Sequence, residues 1–160
     1  MTTDGERDRI ALAVSSIPGI GRKRTIGILK ALASRPLTSD ELMQLVGSTP
    51  RLSNEVKGGL DVILEKALRD ADVIIEEYDD KNISVIAYGS DRLPPAFWDI
   101  PDPPAVLYVL GSVQAVSDFP TVAVVGTRKP TAHGKKCAER FGRRFAETGI
   151  TVVSGLAFGC

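Results

Sequence analysis

The stretch from Thr121 to Cys160 narrows the possible folds more than any other. An apolar, largely β-branched run (Val122, Ala123, Val124, Val125) stops at Gly126, and a polar loop follows (Thr127, Arg128, Lys129, Pro130). A helical segment comes next, then a second apolar run, 150–153, which stops at Ser154-Gly155. Unbroken apolar runs bounded by glycine predict strands buried on both faces, and a helix between two of them predicts a parallel βαβ crossover. Open parallel sheets bind ligands beyond the carboxyl ends of their strands. Both runs end in glycine and small polar residues, and the first also ends in adjacent cations, so the chemistry is expected there.

The rest of the composition sets limits. A hydrophobic fraction of 43% with 25% charged residues is ordinary for a globular protein. No window approaches the roughly eighteen uninterrupted apolar residues of a membrane helix. The opening, MTTDGERDRI, is acidic and polar rather than a secretory leader, so a cytoplasmic location is expected and no membrane partner. Cys137 and Cys160 match neither a disulfide framework nor a metal knuckle, and reduced thiols are expected. Net charge is zero, which argues against a uniformly basic surface, but the charges are segregated. From Arg22 to Arg35 every charged residue is cationic; from Asp70 to Asp80 every one is anionic; from Arg128 to Arg144 only Glu139 opposes the cations.

Taken in order, 6–16 reads as a first helix, ended by Ile17-Pro18-Gly19-Ile20-Gly21, where proline stops the helix and glycines permit positive φ. A second, basic helix spans 22–33. Such a hairpin resembles the helix-hairpin-helix of non-specific DNA-binding proteins, in which Gly19 and Gly21 would let backbone N–H groups approach a phosphate and Arg22 and Lys23 would add charge. Packing alone is the other explanation. Thr38-Ser39-Asp40-Glu41 marks a helix start. The spacing predicts a further amphipathic helix over 53–69, weakened at Gly58-Gly59; 73–77 could be a strand by its β-branched residues, but its acidic flanks and the strand just after it favour helix, and the acidic run is expected to be a solvated helix face. A short strand follows at 83–87. Tyr88 to Pro104 holds five prolines with Phe97 and Trp98 among them and is predicted irregular. Its aromatics either stack on bases or, as favoured here, pin the connector to a sheet. A strand over 105–110 and a short helical turn over 112–117 complete the sequence. The fold class is therefore α/β: a small helical domain, 1–80, followed by a partial Rossmann-like parallel sheet, 81–160.

The candidate site groups Gly126, Thr127, Arg128, Lys129, Gly134, Ser154 and Gly155. Cations beside free backbone N–H groups at a strand end make an anion cradle. Lys136, Arg140 and Arg144 recur every four residues on the crossover helix, opposite Phe141 and Phe145. That stripe either tracks a nucleic-acid backbone or is a solvated face. His133 has no evident thiol or carboxylate partner in sequence and is read as a loop residue. No Walker A, GxGxxG or GxSxG pattern occurs, so no cofactor, metal or catalytic nucleophile is expected.

These motifs also carry a family resemblance. Asp102-Pro103-Pro104-Ala105-Val106-Leu107-Tyr108 with Gly111, then Val122-Ala123-Val124-Val125-Gly126-Thr127-Arg128, Gly134, and Gly149-Ile150-Thr151-Val152-Val153-Ser154-Gly155-Leu156-Ala157 with Gly159 closely resemble the DprA/Smf family of DNA-processing proteins. The resemblance is strong over about 93–160 and weaker over the helical part. It implies a Rossmann-like, non-enzymatic protein that binds single-stranded DNA, helps load the recombinase RecA, supports natural transformation and forms dimers. Arg128 falls where the family places its phosphate-binding arginine. Thr127 stands where serine is commoner, and Leu93-Pro94 where Tyr-Pro is usual. The chain stops at Cys160 where the family continues, so a truncated form with exposed apolar strand edges is expected. Two rivals remain: a nucleotide-hydrolysing enzyme similar to the nucleoside-monophosphate phosphoribohydrolases, and a protein-docking module.

Overall fold

The structure, a computed structural model, describes residues 3–34, 37–50, 52–98, 100–117 and 120–156. It contains two compact units, 1–112 and 113–160.

The first unit is built around helix α1, Asp4–Ser16. Thr3 caps it, its hydroxyl accepting the Glu6 N–H at 3.3 Å, and Asp4 and Glu6 lie at the positive end of the helix dipole. Five consecutive residues, Ile10 to Val14, are at most 8% exposed, so α1 is enclosed on every side. Ile17 and Gly19, the latter at φ 92°, turn the chain into α2, Arg22–Ser34. Helix α3, Ser39–Gly47, opens with a reciprocal cap: Thr38 Oγ1 accepts from Glu41 N–H, and the Glu41 carboxylate accepts from Thr38 N–H. The helix expected over 53–69 is two helices, α4 (Asn54–Gly58) and α5 (Leu60–Asp80). The break falls at Gly59, where backbone freedom is greatest.

Helix α5 runs on through 73–77, as expected, and carries the acidic residues into solvent. Leu60, Leu64, Ala67 and Ala71 are its buried stripe, and α5 packs chiefly on α1. Arg9 grips Asp72 with both arms, at 2.6 and 3.0 Å. Strands β1 (Ile83–Ala87) and β2 (Val106–Leu110) pair antiparallel, from Ile83 with Leu110 to Ala87 with Val106. β1 packs on α1 and α5. The proline-rich connector between them is irregular apart from a 3₁₀ turn, Pro95–Phe97.

In the second unit, α6 (Gln114–Ser117) precedes β3 (Thr121–Ala123), α7 (Ala132–Glu147) and β4 (Thr151–Val153). β3 and β4 pair in parallel, Val122 beside Val152, with α7 as the crossover. The protein is thus mixed α/β, helical first, then the beginning of a parallel sheet. Contrary to expectation, the strands are not buried on both faces. The run expected as strand over 122–125 is strand only through Ala123, leaving Val125 in the loop at 87% exposure; within the strands Val153 is 43% exposed and Val122 and Val152 are half-buried. Phe141, expected on the inner side of α7, is 58% exposed and stacks on Phe145. The physical reason is the size of the sheet: two strands of three residues, packed on α7, offer too little surface to enclose either run. Among the described residues, no helix is long and apolar enough to cross a membrane.

Candidate anion-binding site

The parallel pair builds the site. Ala123 and Val153 lie side by side at the carboxyl ends of β3 and β4, and Val124 N–H donates to Val153 O at 2.9 Å just beyond them. The polypeptide leaves this edge twice, as the 124–131 loop and as the turn at Ser154. Helix α7 begins where the first loop ends, so its amino terminus belongs to the same rim.

Gly126, Thr127, Arg128 and Lys129 are all exposed. The two hydroxyl residues at the rim act alike. Thr127 Oγ1 accepts the Lys129 N–H at 3.2 Å and Ser154 Oγ accepts the Leu156 N–H at 3.3 Å, each two residues on. Hydroxyl-closed turns of this kind hold short loops in shape while leaving the O–H free to donate. Thr131 caps α7 by accepting the Gly134 N–H at 3.1 Å. A Cβ on Gly134 would stand 3.4 Å from Thr131 Oγ1 and 3.7 Å from Pro130 Cβ, ordinary contacts, so this glycine is not required by crowding. Gly155 is likewise exposed and meets nothing within 4 Å. Among the described residues neither Arg128 nor Lys129 forms an ion pair. The seven expected residues thus lie on the segments that follow the carboxyl ends of β3 and β4: two exposed cations, two hydroxyls, and three glycines, with the dipole-positive end of a 16-residue helix closing the first loop.

His133 departs from expectation. It has a thiol neighbour after all, one helical turn on, with Cys137 Sγ 3.3 Å from its Nε2. His133 lies in the first turn of α7 rather than in a loop, and the i, i+4 spacing present in the sequence marks the contact once 132–137 is helix. Among the described residues no group of three metal-ligating side chains forms.

Lys136, Arg140 and Arg144 share one exposed face of α7 with Arg143 and with two acids, Glu139 and Glu147. Together they line a shallow depression of about 400 Å³. Arg144 pairs with Glu147 at 3.4 Å, so the stripe is partly compensated.

The hairpin residues lie in the other unit. Gly19 and Gly21 are exposed, while Ile17 and Ile20, 2% and 7% exposed, anchor the turn. Arg22 is taken up by Asp102, pairing with its carboxylate and donating to its carbonyl oxygen at 3.4 Å. Arg24 turns to the end of α3, donating to Thr49 Oγ1 at 3.0 Å and to Leu45 O. Lys23 is exposed.

Sequence reasoning missed a buried charged group on α1. Asp8, 3% exposed, accepts the Ala87 N–H at 2.7 Å and pairs with Arg92, which also donates to Val85 O at 2.7 Å. Burial raises its pKa to about 6, against the lowering effects of the Ala87 hydrogen bond and the Arg92 charge. Beside it Arg7, 7% exposed, donates to Leu29 O at 3.4 Å, and its Nε has no partner among the described residues. No local pattern betrays these two residues, because 6–16 looks like a helix with a wet side.

Comparison with known proteins adds the following. The family model for DNA recombination-mediator protein A matches residues 84–160. The chain is 31% identical over 156 residues to protein Smf of Synechocystis, covering 92% of this chain and 37% of that protein. It is 36% identical over 88 residues to the DNA processing protein DprA of Bacillus subtilis (54% and 29%), and 39% over 82 residues to protein Smf of Escherichia coli (49% and 21%). It therefore spans well under half the length of these relatives. No solved structure gives a significant match.

Proposed function

Residues 84–160 place this chain in the DNA recombination-mediator protein A (DprA/Smf) family, and from that premise we propose that it belongs to a non-catalytic protein that binds single-stranded DNA without sequence preference. In the same proposal the protein helps load the recombinase RecA, works in the cytoplasm during DNA uptake and forms a homodimer. The helical residues 1–80 are a domain of their own, and 81–160 are the front of the Rossmann-like domain.

One observation carries the binding proposal: an unpaired Arg128 and Lys129, the Thr127 and Ser154 hydroxyls, and the α7 amino terminus share the carboxyl rim of a parallel strand pair. Such a rim suits an anion repeated along a polymer, since each phosphate neutralised releases counterions and none of these groups reads a base. Lys136, Arg140 and Arg144 extend the positive surface along α7, and Lys23 with Gly19 and Gly21 offers a secondary contact.

Fluorescence anisotropy with labelled oligo-dT across a salt series is the test. Arg128→Ala is expected to weaken binding on every sequence and to flatten the log–log salt slope by about 0.7. Unchanged affinity and slope would overturn the site. Steady turnover of a nucleoside monophosphate would overturn the non-catalytic assignment.

A further inference from the structure

The irregular connector 88–104 and helix α2 meet along a line, and an indole stands out beside it. Trp98 follows the 3₁₀ turn Pro95–Phe97, and its backbone N–H donates to Pro95 O at 2.9 Å. Its ring rests on Tyr88, centroids 5.2 Å apart at 53°, yet Trp98 remains 43% exposed. Tyr88 is 9% exposed and has Lys30 Nζ 5.7 Å from its centroid. Four residues past Trp98, Asp102 takes up Arg22 at the start of α2. The connector therefore touches α2 at both Arg22 and Lys30, about 12 Å apart along the helix.

We propose that Trp98, resting on the Tyr88 ring that Lys30 covers, is a second seat for single-stranded DNA, in which the indole stacks on an unpaired base. This deepens the function proposed above and rests on it. A pinned, half-exposed tryptophan is the part such surfaces use: stacking needs one free ring face, little side-chain entropy is lost, and every base has a π-face. The Tyr88 contact that pins the connector also preorganises the platform. Lys23 and Lys30 supply charge, and Arg22 is the cation that Asp102 balances. The connector carries Asp91 and Asp102 as well, so this seat has little net charge. Stacking rather than phosphate neutralisation holds the strand here. The two seats thus differ in kind: loss of Arg128 changes the salt slope, and loss of Trp98 does not.

Trp98 is the sole tryptophan, so the intrinsic indole fluorescence of the full chain reports on this seat alone. Unlabelled oligo-dT is expected to quench it, with the midpoint seen by anisotropy of labelled oligo-dT. Trp98→Ala is expected to weaken binding about tenfold with an unchanged salt slope, and Trp98→Phe to retain most of the affinity. An abasic oligonucleotide of equal length is expected to bind without quenching. Saturation by anisotropy with no change in fluorescence, or equal quenching by the abasic strand, would overturn the seat while leaving the Arg128 site standing. Silence in both signals would overturn the seat together with the DNA-binding function.

Discussion

Asp8 shows how much a single residue can couple the chain to its solvent. Its folded pKa of about 6 lies above its ordinary 3.8, so the folded state holds the proton more tightly than the unfolded one. The resulting stabilisation is full below about pH 3.8 and is lost as pH rises through 6. About two pKa units correspond to roughly 3 kcal/mol. Asp8→Asn keeps a side-chain acceptor for Ala87 N–H but cannot titrate. The stability difference between wild type and Asp8→Asn, from denaturant midpoints at pH 4, 5, 6 and 7, is therefore expected to shift against the wild type by up to that amount. A flat difference would place the carboxylate in contact with water. Gly89 is the second sensitive residue. Its φ is +86°, and an added Cβ would meet Arg7 Nη1 at 2.5 Å. Gly89→Ala should cost about 2 kcal/mol or more, since left-handed strain and a collision with a buried guanidinium act together. A denaturation midpoint within error of wild type would show that Arg7 can move aside.

Among the elements, the helices were the most legible in the sequence. Caps, glycines and apolar spacing act within one or two turns, and they marked α1, α2 and α3, whereas 73–77, with its β-branched residues, was legible as helix only through its acidic flanks. The Thr38–Glu41 capping box was readable as a pattern of four residues and is present as two hydrogen bonds. Thr38→Ala is expected to lower stability by about 1 kcal/mol, and Glu41→Ala by less, in urea denaturation followed by circular dichroism. Equal effects, or none, would mean that the cap is solvated. The β3 and β4 runs were legible as a parallel pair, but their enclosure was not. Hydrophobicity records what a strand can bury, and the surface available to cover it belongs to neighbouring elements. Val153, 43% exposed at the end of β4, is the measure of that gap.

At the scale of the whole molecule, the packing break and the family boundary fall in different places: compactness divides the chain after Ser112, and the family match begins at residue 84. The β1–β2 pair lies between, matched by the family model yet packed on the helices. A fragment of residues 1–112 is expected to unfold in one cooperative transition and to retain the Asp8-dependent pH profile, because Ala87, Arg92 and Leu29 all lie within it. Loss of cooperativity would mean that the second unit holds the first together.

The rim residues around Arg128 were identifiable from the order of residues alone, as were the helix starts, the βαβ crossover and the exposed acidic run. Each depends on interactions spanning a few positions, where local propensity and turn chemistry act. Tertiary contacts settled the rest: β2 pairing with β1, the capture of Arg22 by Asp102, and a carboxylate on α1 holding residues 79 and 84 positions away. Burial and ion pairing are properties of what surrounds a side chain in space, and distant segments of the chain supply those surroundings.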